Sequence, residues 1–99
     1  MLHIVNKSHD QSRCLHSCLR FAMPGQALLL AEDAVYAATE ARAGTSGIAE
    51  AALRLKIFVL RPDLEARGMA AKLAEGVTAV DYAGFVDLVA EYPTSQTWL

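Results

Sequence analysis

QALLLAEDAVYAATEARA, residues 26–43, changes character at its middle. QALLLA, 26–31, is a continuous apolar run of strand length, the pattern of a β-strand buried on both faces. From Glu32 the chain turns to helix formers, and Asp33 is placed to cap a new helix. A strand hidden on both sides and feeding a helix is half of a parallel crossover unit, so the rest of the chain is read for its repetition. KIFVL, 56–60, is a second buried-type strand. RPDLEARG follows, with Pro62 suited to a first helical turn and Gly68 to a C-terminal stop.

Further out, LHIVN, 2–6, reads as the first strand. A helix then starts at Ser8 or Asp10 and runs to Met23, where Pro24-Gly25 stops it. GTSG, 44–47, reads as a turn or loop, and IAEAALRL after it has helical composition. VTAVD, 77–81, is the fourth strand. YAGFVDLVAEY has apolar residues at 82, 85, 86, 89 and 92, one helix face, and Pro93 closes it. TSQTWL reads as a polar tail holding the only tryptophan. Strands alternating with helices over crossover-length connections predict an α/β fold with a central, mostly parallel sheet flanked by helices on both faces. In such sheets ligands gather beyond the carboxyl ends of the strands, here Asn6 to Asp10, Glu32 and Asp33, Arg61 to Asp63, and Asp81.

At 99 residues the chain is expected to be one domain, 1–99. Its hydrophobic fraction of 54% is high for so small a surface-to-volume budget, which predicts oligomerisation through surface left outside the core. The longest apolar runs are too short to cross a bilayer. A net charge of −2 from interspersed charges, with no basic stripe, argues against direct nucleic-acid binding. Without a signal-peptide pattern or a disulfide framework, a cytoplasmic location is expected.

The only cysteines, Cys14 and Cys18, stand four apart in SRCLHSCLRFAMPG, 12–25. A helical wheel puts both on the apolar arc with Leu15, Leu19, Phe21 and Ala22, opposite Arg13, His16, Ser17 and Arg20. Packing is therefore the default reading. Helical residues four apart hold their Cβ atoms about 5–6 Å apart, too far for the roughly 3.5–4.5 Å of a disulfide. A metal would need further ligands, and His3, His9 and His16 are poorly placed to supply them. A reactive thiol wants a helix N-terminus or a cation beside it; Cys18 is about two turns in and Cys14 about one. No GxSxG, P-loop or GxGxxG motif offers another route to catalysis, and Glu32-Asp33 reads as a polar cap before an acid–base pair.

Four segments together resemble one family. MLHIVNKS, SCLRFAMPGQALLLAEDAVYAA, VLRPDLEARG and VDYAGFVDLVAEYPTSQTWL are similar, in order and over nearly the whole chain, to the TusB/DsrH family of sulfur-relay subunits. The resemblance implies a DsrE-like fold and no cofactor or metal. It also implies a heterohexamer with DsrE/TusD-like and DsrF/TusC-like sister subunits, served by a DsrC/TusE-like sulfur carrier. In one branch of the family sulfur flows toward 2-thiouridine at the tRNA wobble position; in the other it feeds dissimilatory sulfur oxidation. The main persulfide cysteine is implied to lie on the larger sister subunit. DsrH-type members carry a cysteine at the SCL position, here Cys18, which makes Cys18 the candidate sulfur-handling thiol and leans the expectation toward sulfur oxidation. Cys14 matches no family cysteine and reads as packing. The expectation from another class is a homo-oligomeric interaction module that carries no sulfur.

Overall fold

The computed structural model describes residues 1–69 and 72–98. Five strands, β1 Leu2–Val5, β2 Ala27–Leu30, β3 Lys56–Leu60, β4 Val77–Val80 and β5 Ser95–Trp98, form one sheet in the order β4-β3-β2-β1-β5. Every pairing is parallel, with Leu2 opposite Ala27 and Ser95, Ala27 opposite Lys56, and Ile57 opposite Val77. The α/β class expected from the alternation is the one observed. The strand count differs, because the residues read as a polar tail form β5 along the free edge of β1. A strand at a sheet edge has no need of an apolar run, and SQTW accordingly lacks the signal that marks β2.

The helices divide between the two faces for a topological reason. From β1 to β4 the chain steps across the sheet in one direction, and right-handed crossovers put the intervening elements on one face. These are α1 Cys14–Phe21, a 3-10 segment Glu32–Ala38, α2 Ala43–Ser46, α3 Ile48–Ala51 and α4 Arg61–Ala66. Leu15, Val35, Ile48 and Leu64 pack there on Val5, Leu28, Leu30, Ile57 and Val59. The connection from β4 to β5 runs back over the whole sheet, so its helix, α5 Tyr82–Glu91, lies on the opposite face. There Leu88, with Phe85 and Tyr92, covers Leu2, Ala27 and Leu29. Among the described residues one face thus has five covering elements and the other has one.

Local expectations shift where packing overrides pattern. The helix expected from Asp33 is a 3-10 segment with no side-chain cap. Ala34, Val35, Ala37 and Ala38 are its buried residues, a period of three that suits the tighter winding. Glu32 enters it at φ 50, in the left-handed region. GTSG is helical up to Ser46, and Gly47, at φ 92, separates α2 from α3. On α5 the apolar residues do not share one environment: Phe85 and Tyr92 face the sheet, while Tyr82, Val86 and Val89 are exposed.

Candidate functional site

Residues 8–13 form a turn before α1. Ser8 carbonyl oxygen accepts from the N–H groups of Gln11 and Ser12, and Ser8 Oγ accepts from Asp10 N–H. Neither Ser8 nor Asp10 caps the helix, which begins at Cys14. Both thiols therefore sit closer to its N-terminus than the sequence pattern implies, with Cys14 in its first turn. Ser12 Oγ accepts the Cys14 N–H at 3.2 Å and donates to Cys14 Sγ at 3.0 Å. Cys14 is 9% exposed and, with Ser12, Arg13, Ser17 and Trp98, lines a cavity of about 280 Å³.

Cys18, the candidate sulfur-handling thiol, is 0% exposed and packs in the main core cluster. Burial pushes its thiol up from about 9 to about 12, and the positive charge of Arg54 works in the opposite direction without reversing it. The thiolate is the nucleophile in sulfur exchange, and in this conformation almost none of it exists near neutral pH. Arg54 has a structural task here: Nη2 donates to Leu19 O at 2.9 Å and Nη1 to Ala22 O at 3.2 Å. It thus closes the C-terminal end of α1 from a distant part of the chain, which helical periodicity could not reveal.

At the carboxyl ends of β2 and β3, Asp33, Asp63 and Arg67 engage one another. Asp63 Oδ2 accepts from the N–H of Glu32 at 2.6 Å and so holds its left-handed backbone. Arg67 donates from Nε and Nη2 to Asp33 Oδ1, at 3.1 and 2.9 Å, and from Nη1 to Asp63 O. Asp33 is an ion-pair partner of Arg67 and does not cap the 3-10 segment in which it lies. Asp81 caps α5, its Oδ1 accepting from Gly84 N–H at 2.8 Å. Around the end of β1, His9 Nε2 lies 3.2 Å from Asp10 Oδ1. Asn6 Oδ1 and His9 Nδ1 are buried without a hydrogen-bond partner. A cavity of about 540 Å³ lies elsewhere, between Tyr36, Glu40, Arg42, Met69 and Lys72, with the Arg42 guanidinium 5.3 Å from the Tyr36 ring centroid.

A buried polar cluster beside α1 escaped sequence reading. His3, 0% exposed on β1, meets Gln26 Oε1 through Nε2 at 2.8 Å and receives the Trp98 Nε1–H on Nδ1 at 3.2 Å. An indole N–H can only donate, so Nδ1 must be bare and Nε2 must carry the proton. His3 is therefore the neutral link between β5 and the start of β2. The rings of His3, Phe21 and Trp98 lie within 6.4 Å of each other, centroid to centroid. The only signal for this in the sequence is a histidine inside an apolar strand.

Among the described residues no three His, Cys, Asp or Glu side chains come together as a metal site, and no helix is long and apolar enough to cross a membrane. What α1 presents is two buried thiols, Cys18 at 0% and Cys14 at 9% exposure, and at the strand ends Asp33, Asp63 and Arg67 are tied into the scaffold. Comparison with known proteins agrees with the segments that first suggested a family. The model of the DsrH-like protein family matches residues 7–95. Protein TusB of Pectobacterium parmentieri is 37% identical over 98 residues, covering 99% of this chain and all of that protein. Protein TusB of Erwinia tasmaniensis is 35% identical over 99 residues, again over its whole length. Protein TusB of Salmonella dublin is 32% identical over 80 residues, 81% of this chain and 82% of that one. With so much of its length matched, the chain belongs to the TusB/DsrH family.

Proposed function

We propose that the chain is a non-catalytic subunit of a cytoplasmic sulfur-relay complex of the tRNA 2-thiouridine type. It supports a persulfide-carrying sister subunit of the DsrE/TusD-like kind, beside a DsrF/TusC-like one, and a DsrC/TusE-like carrier takes the sulfur on. The observation that carries this reading is the end-to-end similarity to TusB proteins. It favours tRNA thiolation over the dissimilatory sulfur oxidation to which a cysteine at position 18 leaned. The buried Cys18 supports the supporting role. To take sulfur, its thiolate would have to attack the outer sulfur of a persulfide, form a new S–S bond and expel the donor thiolate. A thiol held to about 12 and shut off from solvent starts that step poorly.

The test is restoration of wobble 2-thiouridine in a bacterium lacking its own TusB-type subunit. The wild-type chain and Cys18→Ala are both expected to restore it, as read by nucleoside mass spectrometry. Failure of the wild type with its complex assembled would leave the sulfur-oxidation reading. Loss in Cys18→Ala alone, with the gain of one sulfur mass on Cys18 in the wild type treated with persulfide donor, would make Cys18 a sulfur carrier.

A further inference from the structure

Helix α5 carries more apolar surface than the sheet takes up. Phe85, Leu88 and Tyr92 face the sheet. On the other side Tyr82, Val86 and Val89 are 60%, 63% and 44% exposed, at positions i, i+4 and i+7 that form one continuous stripe. Ala83 and Ala90 extend it and are exposed as well. A helix that only roofs a sheet shows solvent a polar outer face; here Asp87 and Glu91 are the only charged residues within α5. Along the sequence the cations stop short of this segment, although Arg61 lines a cavity with Asp81 and Gly84 at its start. All nine Lys and Arg residues lie in 1–72, whereas 73–98 holds Glu75, Asp81, Asp87 and Glu91 and no cation.

We infer that the Tyr82–Val86–Val89 stripe of α5 is a docking surface for a different protein chain, one that presents an apolar face rimmed by lysine and arginine. The inference rests on the reading that the chain works inside a hetero-oligomer. Charge complementarity selects this occupant. Two copies meeting through their α5 faces would set Asp87 and Glu91 of both chains together, a like-charge contact that disfavours pairing. An anionic membrane surface is disfavoured on the same ground, since helices that lie on such membranes put Lys and Arg around the apolar face. A basic-rimmed protein surface alone satisfies both the stripe and its acidic border.

The test uses the full chain, tagged and co-expressed with its TusC-type and TusD-type sister chains. Val86→Glu with Val89→Glu should reduce their recovery about tenfold or more, as expected when a central apolar anchor is lost. Asp87→Lys with Glu91→Lys should reduce it less and remove most of its salt dependence. Leu53→Glu, at a fully separate exposed leucine on the α3 side, should leave it unchanged, and circular dichroism should show all variants folded. Equal recovery with the α5 variants overturns the docking surface while the hetero-complex stands. Recovery of neither sister chain by the wild type overturns the hetero-complex reading and the inference with it. A wild-type homodimer, or binding to anionic vesicles, that Val86→Glu abolishes would assign the stripe to a second copy or to lipid and overturn the inference alone.

Discussion

At the scale of single residues, Cys18 makes the protein sensitive to alkali. A thiol held at about 12 in the folded state and near 9 when released binds its proton more tightly folded than unfolded. Below pH 9 both states keep the proton and stability is unaffected. Between pH 9 and 12 the unfolded chain alone loses it, so stability falls with rising pH, by at most about 1.4 kcal/mol per unit. Cys18→Ala should show a shallower alkaline decline than wild type in urea titrations at pH 8 to 10.5, at a cost near neutrality of about 1 kcal/mol for the small cavity. Cys18→Ser is the poorer probe, because its hydroxyl would need a partner among apolar neighbours. Iodoacetamide should alkylate Cys14 slowly in the native protein and reach Cys18 only after unfolding, which peptide mapping resolves. The helical wheel placed both thiols on the apolar arc, and burial agrees. The wheel could not say which would be sealed, because that depends on how α1 packs into the core cluster of Val5, Leu28 and Leu30, set by residues distant in sequence.

Individual elements separate what pattern can carry from what it cannot. The buried strands β1, β2 and β3 were legible because a parallel sheet covered on both faces leaves continuous apolar runs. α5 was legible as a helix, yet its orientation was not. Its apolar arc is wider than one interface, and periodicity does not tell which half meets the sheet. The start of α1 was misread because Ser8 and Asp10 are good caps in any context, and here they build a turn. The cap of α5 is local and tests cleanly: Asp81→Ala should cost about 1 kcal/mol, while Asp81→Asn should keep most of it, read as a shift in thermal midpoint. The end of α1 is held non-locally, and Arg54→Ala should cost about 1–3 kcal/mol by leaving Leu19 and Ala22 carbonyls short of a charged donor. Amide hydrogen exchange in α1 should then quicken toward Phe21 while α5 stays protected.

Across the whole molecule, β5 has more consequence than its polar sequence suggests. It converts β1 from an edge strand into an interior one, and β1 is the apolar LHIV. Trp98 fastens β5 through the His3 link to Gln26, so one buried histidine ties the last strand, the first and the start of the second. His3→Leu keeps the bulk but removes the acceptor for the indole N–H and the donor to Gln26. It should cost about 2 kcal/mol, lowering the thermal midpoint by about 4–8 °C per kcal/mol, and should shift the emission of the lone tryptophan. Truncation before Ser95 is a different lesion. It exposes an unpaired ladder of backbone groups along an apolar strand, a template for pairing with other chains. The truncated chain should therefore aggregate during size-exclusion chromatography at concentrations where His3→Leu still elutes as the wild type does. If both variants stay soluble with the same loss of stability, β5 contributes its side-chain link alone. If only the truncation aggregates, the strand's larger role is to cover β1, which a sequence reading that stopped at a polar tail had no means to assign.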